Sequence, residues 1–331
     1  MSHIPLKAQC DYETVARSVF DRTGQRPKLV VIGALHVDEI ARSSETMILG
    51  ESNPVSWTRS AGGVAANVSR AAAITCPELF IQLIANCGTD SDADQLRAVM
   101  KNSCVNVIST KLSDSPAGRY TAVLQPDGDV LIGLADTAQA EQLSYETIAD
   151  QVDLRSASAV FFDGNISAHT MEQLTRQLPR RCPAVAMSVS PAKATRLNAC
   201  LPDLDLLFCN RAEAKAMVQH LGHAVELTTD SAALLSRLCD TACKHVVLTD
   251  GIDGVYIGSG AEKTHAPVIA LNNPKTLNGP GDALAGATIA RLVNQSLTHS
   301  AIVDAICNFG IPAANAVLLG NNRAPLISNH H

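Results

Sequence analysis

The chain has 331 residues, 46% hydrophobic and 18% charged, with a formal net charge of −6 and 3% aromatics. That apolar content excludes wholesale disorder, and the negative balance leaves no basic footprint for nucleic acid. So few aromatic rings also argue against stacking platforms for single-stranded nucleic acid.

The length admits one large α/β domain or two smaller ones, either able to bury a substantial core. The ten cysteines form no Cys-x-x-Cys pair. Most sit in apolar runs, so they are expected to be reduced core thiols of a cytoplasmic protein. No charged n-region precedes an apolar segment at the start, which predicts no signal peptide. No run approaches about 18 unbroken apolar residues, which predicts no membrane span.

In chain order, residues 1–27 read as an N-terminal extension, with a short helix expected over Asp11 to Phe20. The globular part opens at Lys28 to Gly33, a β-branched apolar run ending in glycine, the composition of a buried parallel strand. Similar strands are expected at 80–85, 159–163, 184–188, 206–210 and 245–249. Helical patterns separate them at 65–74, 91–100, 171–177, 211–221 and 231–239, with a last helix over Ala283 to Leu292. Strands alternating with helices predict a right-handed, mostly parallel sheet covered on both faces. Residues 36–60 and 105–133 break that rhythm by alternating apolar with polar positions, and Gln125 to Asp129 reads as a hairpin turn. They predict antiparallel strands inserted as a small β lid, a device that excludes water from a site beneath it.

Several loops at strand ends carry candidate chemistry. Asp38 follows the first strand, where ligands bind in open α/β sheets. As an acceptor-only carboxylate it suits vicinal sugar hydroxyls, or else it caps a turn. Gly62 and Gly63 open a helix bearing Asn67, whose amide donates and accepts and also suits hydroxyls. Asn210 and Glu213 have capping-box spacing; the functional reading puts Glu213, directly or through water, on a Mg²⁺ bridging nucleotide phosphates. Thr249, Gly251 and Gly254 follow the next strand, with a hydroxyl for a phosphate oxygen and glycines for close backbone approach.

The most informative run is Asn278-Gly279-Pro280-Gly281-Asp282-Ala283. A Gly-rich turn feeding a helix directs free N–H groups at an anion. A carboxylate there would repel its own ligand unless it has another task, namely taking the proton of a hydroxyl that attacks a phosphoryl group. Alone, the run also reads as a turn with Asp282 as N-cap.

The order of these marks resembles the ribokinase-like (PfkB-type) carbohydrate kinase family over roughly residues 28–320. The resemblance implies an α/β/α three-layer core over 28–325 with an inserted β lid, ATP as donor, and Mg²⁺. It implies Asp282 as general base, with the Gly279 to Gly281 amides as anion hole and Asn210, Thr249, Gly251 and Gly254 toward the nucleotide. Asp38, Gly62, Gly63 and Asn67 then hold the sugar. The runs Ser115 to Tyr120, Gly133 to Thr137, Asp163-Gly164-Asn165 and Ser188 to Ala194 are most like pseudouridine-phosphorylating members, which adds Asn165 and Lys193 to the substrate pocket. The implied reaction phosphorylates a ribose 5′-hydroxyl. The partners are a small nucleoside or sugar, with no nucleic acid or membrane, and a second copy of the chain pairing through the lid.

The sequence departs from the family at Thr276, Leu277, Asn278 and Pro280. The missing carboxylate at 276 weighs against a monovalent-cation site, and Pro280 removes one backbone N–H. Other acceptors, or a ligand-binding member without turnover, remain open at this point. No G-x-G-x-x-G follows the first strand, which disfavours a dinucleotide oxidoreductase.

Overall fold

The computed structural model describes residues 26–110, 115–128, 130–226, 229–241, 243–271, 279–321 and 325–327. The helix expected over Asp11 to Phe20 and the segment Thr276-Leu277-Asn278 lie outside them.

The chain enters through β1 (Lys28–Ile32), leaves the core as the hairpin β2 (His36–Ser43) and β3 (Val55–Gly62), and returns through α1 (Val64–Thr75). β4 (Phe80–Ala85), α2 (Ser91–Asn102) and β5 (Val105–Ser109) follow, then a second excursion, β6 (Arg119–Leu124) and β7 (Val130–Asp136). Next come α3 (Tyr145–Gln151), β8 (Ala159–Asp163), α4 (Ala168–Gln177), β9 (Ala184–Met187), α5 (Pro191–Ala194) and β10 (Leu206–Asn210). α6 (Arg211–His220), α7 (Ser231–Cys239), β11 (Val246–Thr249), β12 (Val255–Ser259) and β13 (Glu262–Ala266) complete the sheet. α8 (Pro280–Leu292), α9 (His299–Ala305) and α10 (Ile311–Leu318) close the fold.

The large sheet runs β13-β12-β11-β10-β9-β8-β1-β4-β5. Its pairs are parallel from β11 to β5, and β12 and β13 extend it antiparallel. Side chains alternate faces along a strand. Leu29 and Val31 therefore enter one buried cluster with Phe161, while Val30 and Ile32 enter the other with Phe162. Both faces being covered explains why these strands read as unbroken apolar runs. The order reverses at β1, from which the chain goes first to β4 and later to β8, leaving a crevice at the carboxyl ends.

The lid is a four-stranded sheet, β3-β2-β6-β7. Two antiparallel hairpins join through a parallel β2–β6 pair, so it is not antiparallel throughout. Residues 105–109, expected in the lid segment, instead form β5 on the edge of the large sheet. An edge strand buries only part of its side chains, and that mimics the alternation of a lid strand. Buried Asp92 at the start of α2 ties the lid to the core. Its Oδ2 lies 2.6 Å from Arg59 Nη2 and 2.9 Å from Arg119 Nη2, and both arginines also meet Glu39 Oε1.

Eight described cysteines are free thiols, six of them buried. Cys104 is disulfide-bonded, which corrects the expectation that every cysteine is reduced. The helical run His299–Leu318, with mean hydropathy 1.5, is long and apolar enough to cross a membrane by length and composition. It spans α9, a π-helical turn and α10, and it packs on α8, β12 and β13.

Candidate active site

α1 and α8 lie against each other because their shared face is small. A Cβ on Gly286 of α8 would fall 2.4 Å from the Val68 carbonyl oxygen of α1. Both helix N-termini then open into one cleft of about 560 Å³ at the carboxyl ends of the large sheet, under the lid. Asp38, Gly63, Asn67, Asn165 and Lys193 line it, as do Asn210, Glu213, Thr249, Gly279, Gly281 and Asp282. Gly62, Gly251 and Gly254 do not line it.

Of the glycines off the cleft, Gly62 and Gly254 have packing tasks and Gly251 a conformational one. A Cβ on Gly62 would sit 2.2 Å from Asp38 Cγ, so glycine there lets that carboxylate fit. Gly254 has φ +97, and a Cβ would meet the Ala266 carbonyl oxygen at 2.5 Å. Gly251 has φ +55 in a short 3₁₀ turn.

Asp38 stands on lid strand β2, not in a turn. His36, two residues earlier and so on the same face, places Nε2 3.1 Å from Asp38 Oδ1. Gly63 begins α1 with φ +104, and its lack of Cβ admits the Ala34 carbonyl oxygen at 2.3 Å from where one would stand. Asn67, one turn on, donates Nδ2 to Asp282 Oδ2 at 2.9 Å. Lys193 Nζ donates to Asn165 Oδ1 at 3.0 Å, with Glu141 Oε1 3.6 Å away.

Gly279 caps α8 with φ +85, the left-handed conformation that favours glycine. Pro280 occupies N1, where the missing N–H is one that a helix leaves unpaired anyway. Asp282 sits in the first turn, 9% exposed, with its pKa pushed up to about 7. Burial is the main cause; Asp163, Asp38 and Glu213 push the same way, and the Asn67 hydrogen bond opposes them. A carboxyl poised near neutrality suits proton abstraction.

Asn210 and Glu213 form the capping box in full: Asn210 Oδ1 accepts from Glu213 N, and Glu213 Oε2 accepts from Asn210 N, each at 2.9 Å. Ser188 Oγ donates to the same Oε2. The structural and functional readings are compatible, because capping uses one carboxylate oxygen. Among the described residues no three His, Cys, Asp or Glu side chains gather as a metal site. Mg²⁺ needs no such cage, since it keeps several waters and takes one or two carboxylates plus phosphate. Glu213 fits that pattern through Oε1 or a water.

Three residues were not singled out from the sequence. His36 and Tyr120 enter the cleft from the lid; Tyr120 closes one of the family-like runs, and strand alternation alone could have marked His36. Asp163 is fully buried at the end of β8. Its Oδ2 accepts from Ala34 N and Ala65 N, each at 3.0 Å, and its Oδ1 from Asn165 N at 2.9 Å. One carboxylate thus holds the three segments that carry Asp38, Asn67 and Asn165.

The family model described as pfkB family carbohydrate kinase matches residues 26–326. The pseudouridine kinase of Escherichia coli is 24% identical over 264 residues, 78% of this chain and 82% of that protein. A pseudouridine-metabolizing bifunctional protein of Schizosaccharomyces pombe is 25% identical over 61% of this chain, which spans only 27% of that relative's length. A solved carbohydrate kinase from Agrobacterium tumefaciens superposes with a TM-score of 0.70 at 26% identity, covering 90% of this chain and 92% of its own.

Proposed function

Because the chain belongs to the pfkB family of carbohydrate kinases, and is therefore a phosphotransferase acting on a hydroxyl group, we propose that it transfers the γ-phosphoryl group of ATP to the ribose 5′-hydroxyl of pseudouridine. The observation that carries this reading is Asp282 at the mouth of α8, in the same cleft as Asp38, Asn67, Asn165 and Lys193. The hydroxyl loses its proton to Asp282 as its oxygen bonds to the γ-phosphorus and the bond to the ADP oxygen breaks; the proton then leaves to solvent. The amides at the start of α8 face the transferring group, with the helix dipole favouring negative charge there.

Asp38 and Asn67 offer an acceptor and a two-way amide for the ribose hydroxyls. Asn165 and Lys193, hydrogen-bonded to each other, offer polar groups to the carbonyl and imide edges of a uracil ring. The similarity to two pseudouridine-related relatives supports that base. Thr249 and Asn210 stand on the nucleotide side. Glu213 would hold Mg²⁺, which neutralises phosphate charge when bound.

ADP release measured across pseudouridine, uridine, adenosine, ribose and hexose phosphates tests the assignment. Pseudouridine should give the highest kcat/KM. Preference for another acceptor overturns the substrate, and no turnover with any of them overturns the kinase chemistry.

A further inference from the structure

Arg70 is a buried cation, 8% exposed, in the middle of α1. It follows Asn67 by three residues, so the two share a helix face. Its Nη1 donates to Asn67 Oδ1 at 3.0 Å, and Asn67 Nδ2 donates in turn to Asp282 Oδ2 at 2.9 Å.

From this chain of contacts we infer that Arg70 is a positioning residue for Asp282, acting through Asn67. The inference rests on the reading of Asp282 as the base. A guanidinium can only donate. The end of the Asn67 amide that faces Arg70 must therefore be its oxygen, which turns the nitrogen toward Asp282. That commits Asp282 Oδ2 as an acceptor and leaves Oδ1 to receive the hydroxyl proton. A flipped Asn67 would set its oxygen against Oδ2, a contact that is favourable only if Asp282 is already protonated and unable to act. The guanidinium thus selects the ionised form by geometry.

Charge works in the same direction. Asp38 from β2, Asp163 from β8 and Glu213 from α6 all raise the cost of ionising Asp282. Arg70 on α1 meets the fields of Asp282 and Asp38 with the opposite sign. A buried charge costs several kcal/mol to desolvate, and on this helix it sits one turn beneath the residue that touches the base.

The test is the pH profile of kcat/KM for the acceptor in wild type, Arg70→Met, Arg70→Gln and Arg70→Lys, with Asp282→Asn as reference. Arg70→Met should move the acidic limb to higher pH by about one unit, the usual scale for losing an opposite charge nearby. Its activity should partly recover above that limb. Arg70→Lys, which keeps the charge, should hold the limb near its wild-type position. Arg70→Gln, which can still donate to Asn67, carries the charge test if the methionine variant does not fold. Limbs of the uncharged variants that coincide with wild type, with a pH-independent loss, overturn the inference and leave Arg70 a packing role. Substantial turnover by Asp282→Asn would instead overturn the base reading, so the two failures are distinguishable.

Discussion

A Cβ on Gly33 would stand 2.4 Å from Cγ of Asp163. The glycine at the end of β1 is thus required by a carboxylate at the end of β8, and that carboxylate gathers backbone N–H groups from two loops and the first turn of α1. Asp163→Asn keeps the shape, yet whichever way the amide turns, its NH₂ meets an N–H. Each donor left unpaired should cost about 1–3 kcal/mol. Urea denaturation should show that loss, and KM for the acceptor should rise while KM for ATP changes little. A variant with wild-type midpoint and KM would contradict this account.

The raised pKa of Asp282 makes stability depend on pH with a definite sign. Its folded value of about 7 lies above the 3.8 of the free group. The contribution is therefore fully present at low pH and is lost as pH rises toward 7. By pH 8 the deficit should amount to several kcal/mol, at about 1.36 kcal/mol per unit. Asp282→Asn should be more stable than wild type at pH 8, with the gap closing toward about pH 4. Paired melts at the two pH values check this, and a pH-independent gap would refute it.

The lid should be held to the core mainly by Asp92, whose side chain is 2% exposed between two arginines. Asp92→Ala strips both arginines of a buried partner and should cost about 3–5 kcal/mol. Arg119→Met removes a side chain that is 44% exposed and should cost under about 1 kcal/mol. Chemical denaturation of the two variants tests that order. Because β2 and β6 bring Asp38 and Tyr120 to the cleft, Asp92→Ala should also raise KM for the acceptor.

Local patterns were legible in the sequence wherever the physics is local. Asn210 and Glu213 sit three residues apart, and their capping box forms as that spacing predicts. Ser231–Cys239 is a helix over the residues its periodicity marks. α8 begins at Pro280 and not Ala283, because proline suits the first helical position that a composition reading treats as a turn. β5 was taken for lid, since an edge strand alternates burial much as a lid strand does. The sequence showed Asp163 only as part of a family-like run, without its role, and did not mark Arg70. Asp163 accepts from Ala34 and Ala65, 129 and 98 positions away, and the i, i+3 pair of Arg70 with Asn67 gains its meaning only from the Asn67–Asp282 contact across 215 positions.

Gly279 and Gly281 should respond differently to alanine. Gly279 holds φ +85, so Gly279→Ala should lose about 1 kcal/mol of stability. Among the described residues, a Cβ on Gly281 meets Met187 Cε alone, at 3.5 Å, an ordinary contact. Gly281→Ala should therefore melt like wild type while kcat/KM falls, because its methyl enters the space that the proposed mechanism gives to the phosphoryl group. A substantial drop in melting temperature for Gly281→Ala would show that the glycine serves the fold.

The central claim is that Asp282 removes the proton of the attacking hydroxyl. The most direct measurement is kcat of Asp282→Asn by ADP release, beside the melting-temperature shift that pseudouridine produces in the same variant. The account predicts a loss of about 10²–10⁴ in kcat with the ligand-induced shift retained. A loss smaller than about tenfold, with ligand binding intact, would contradict it.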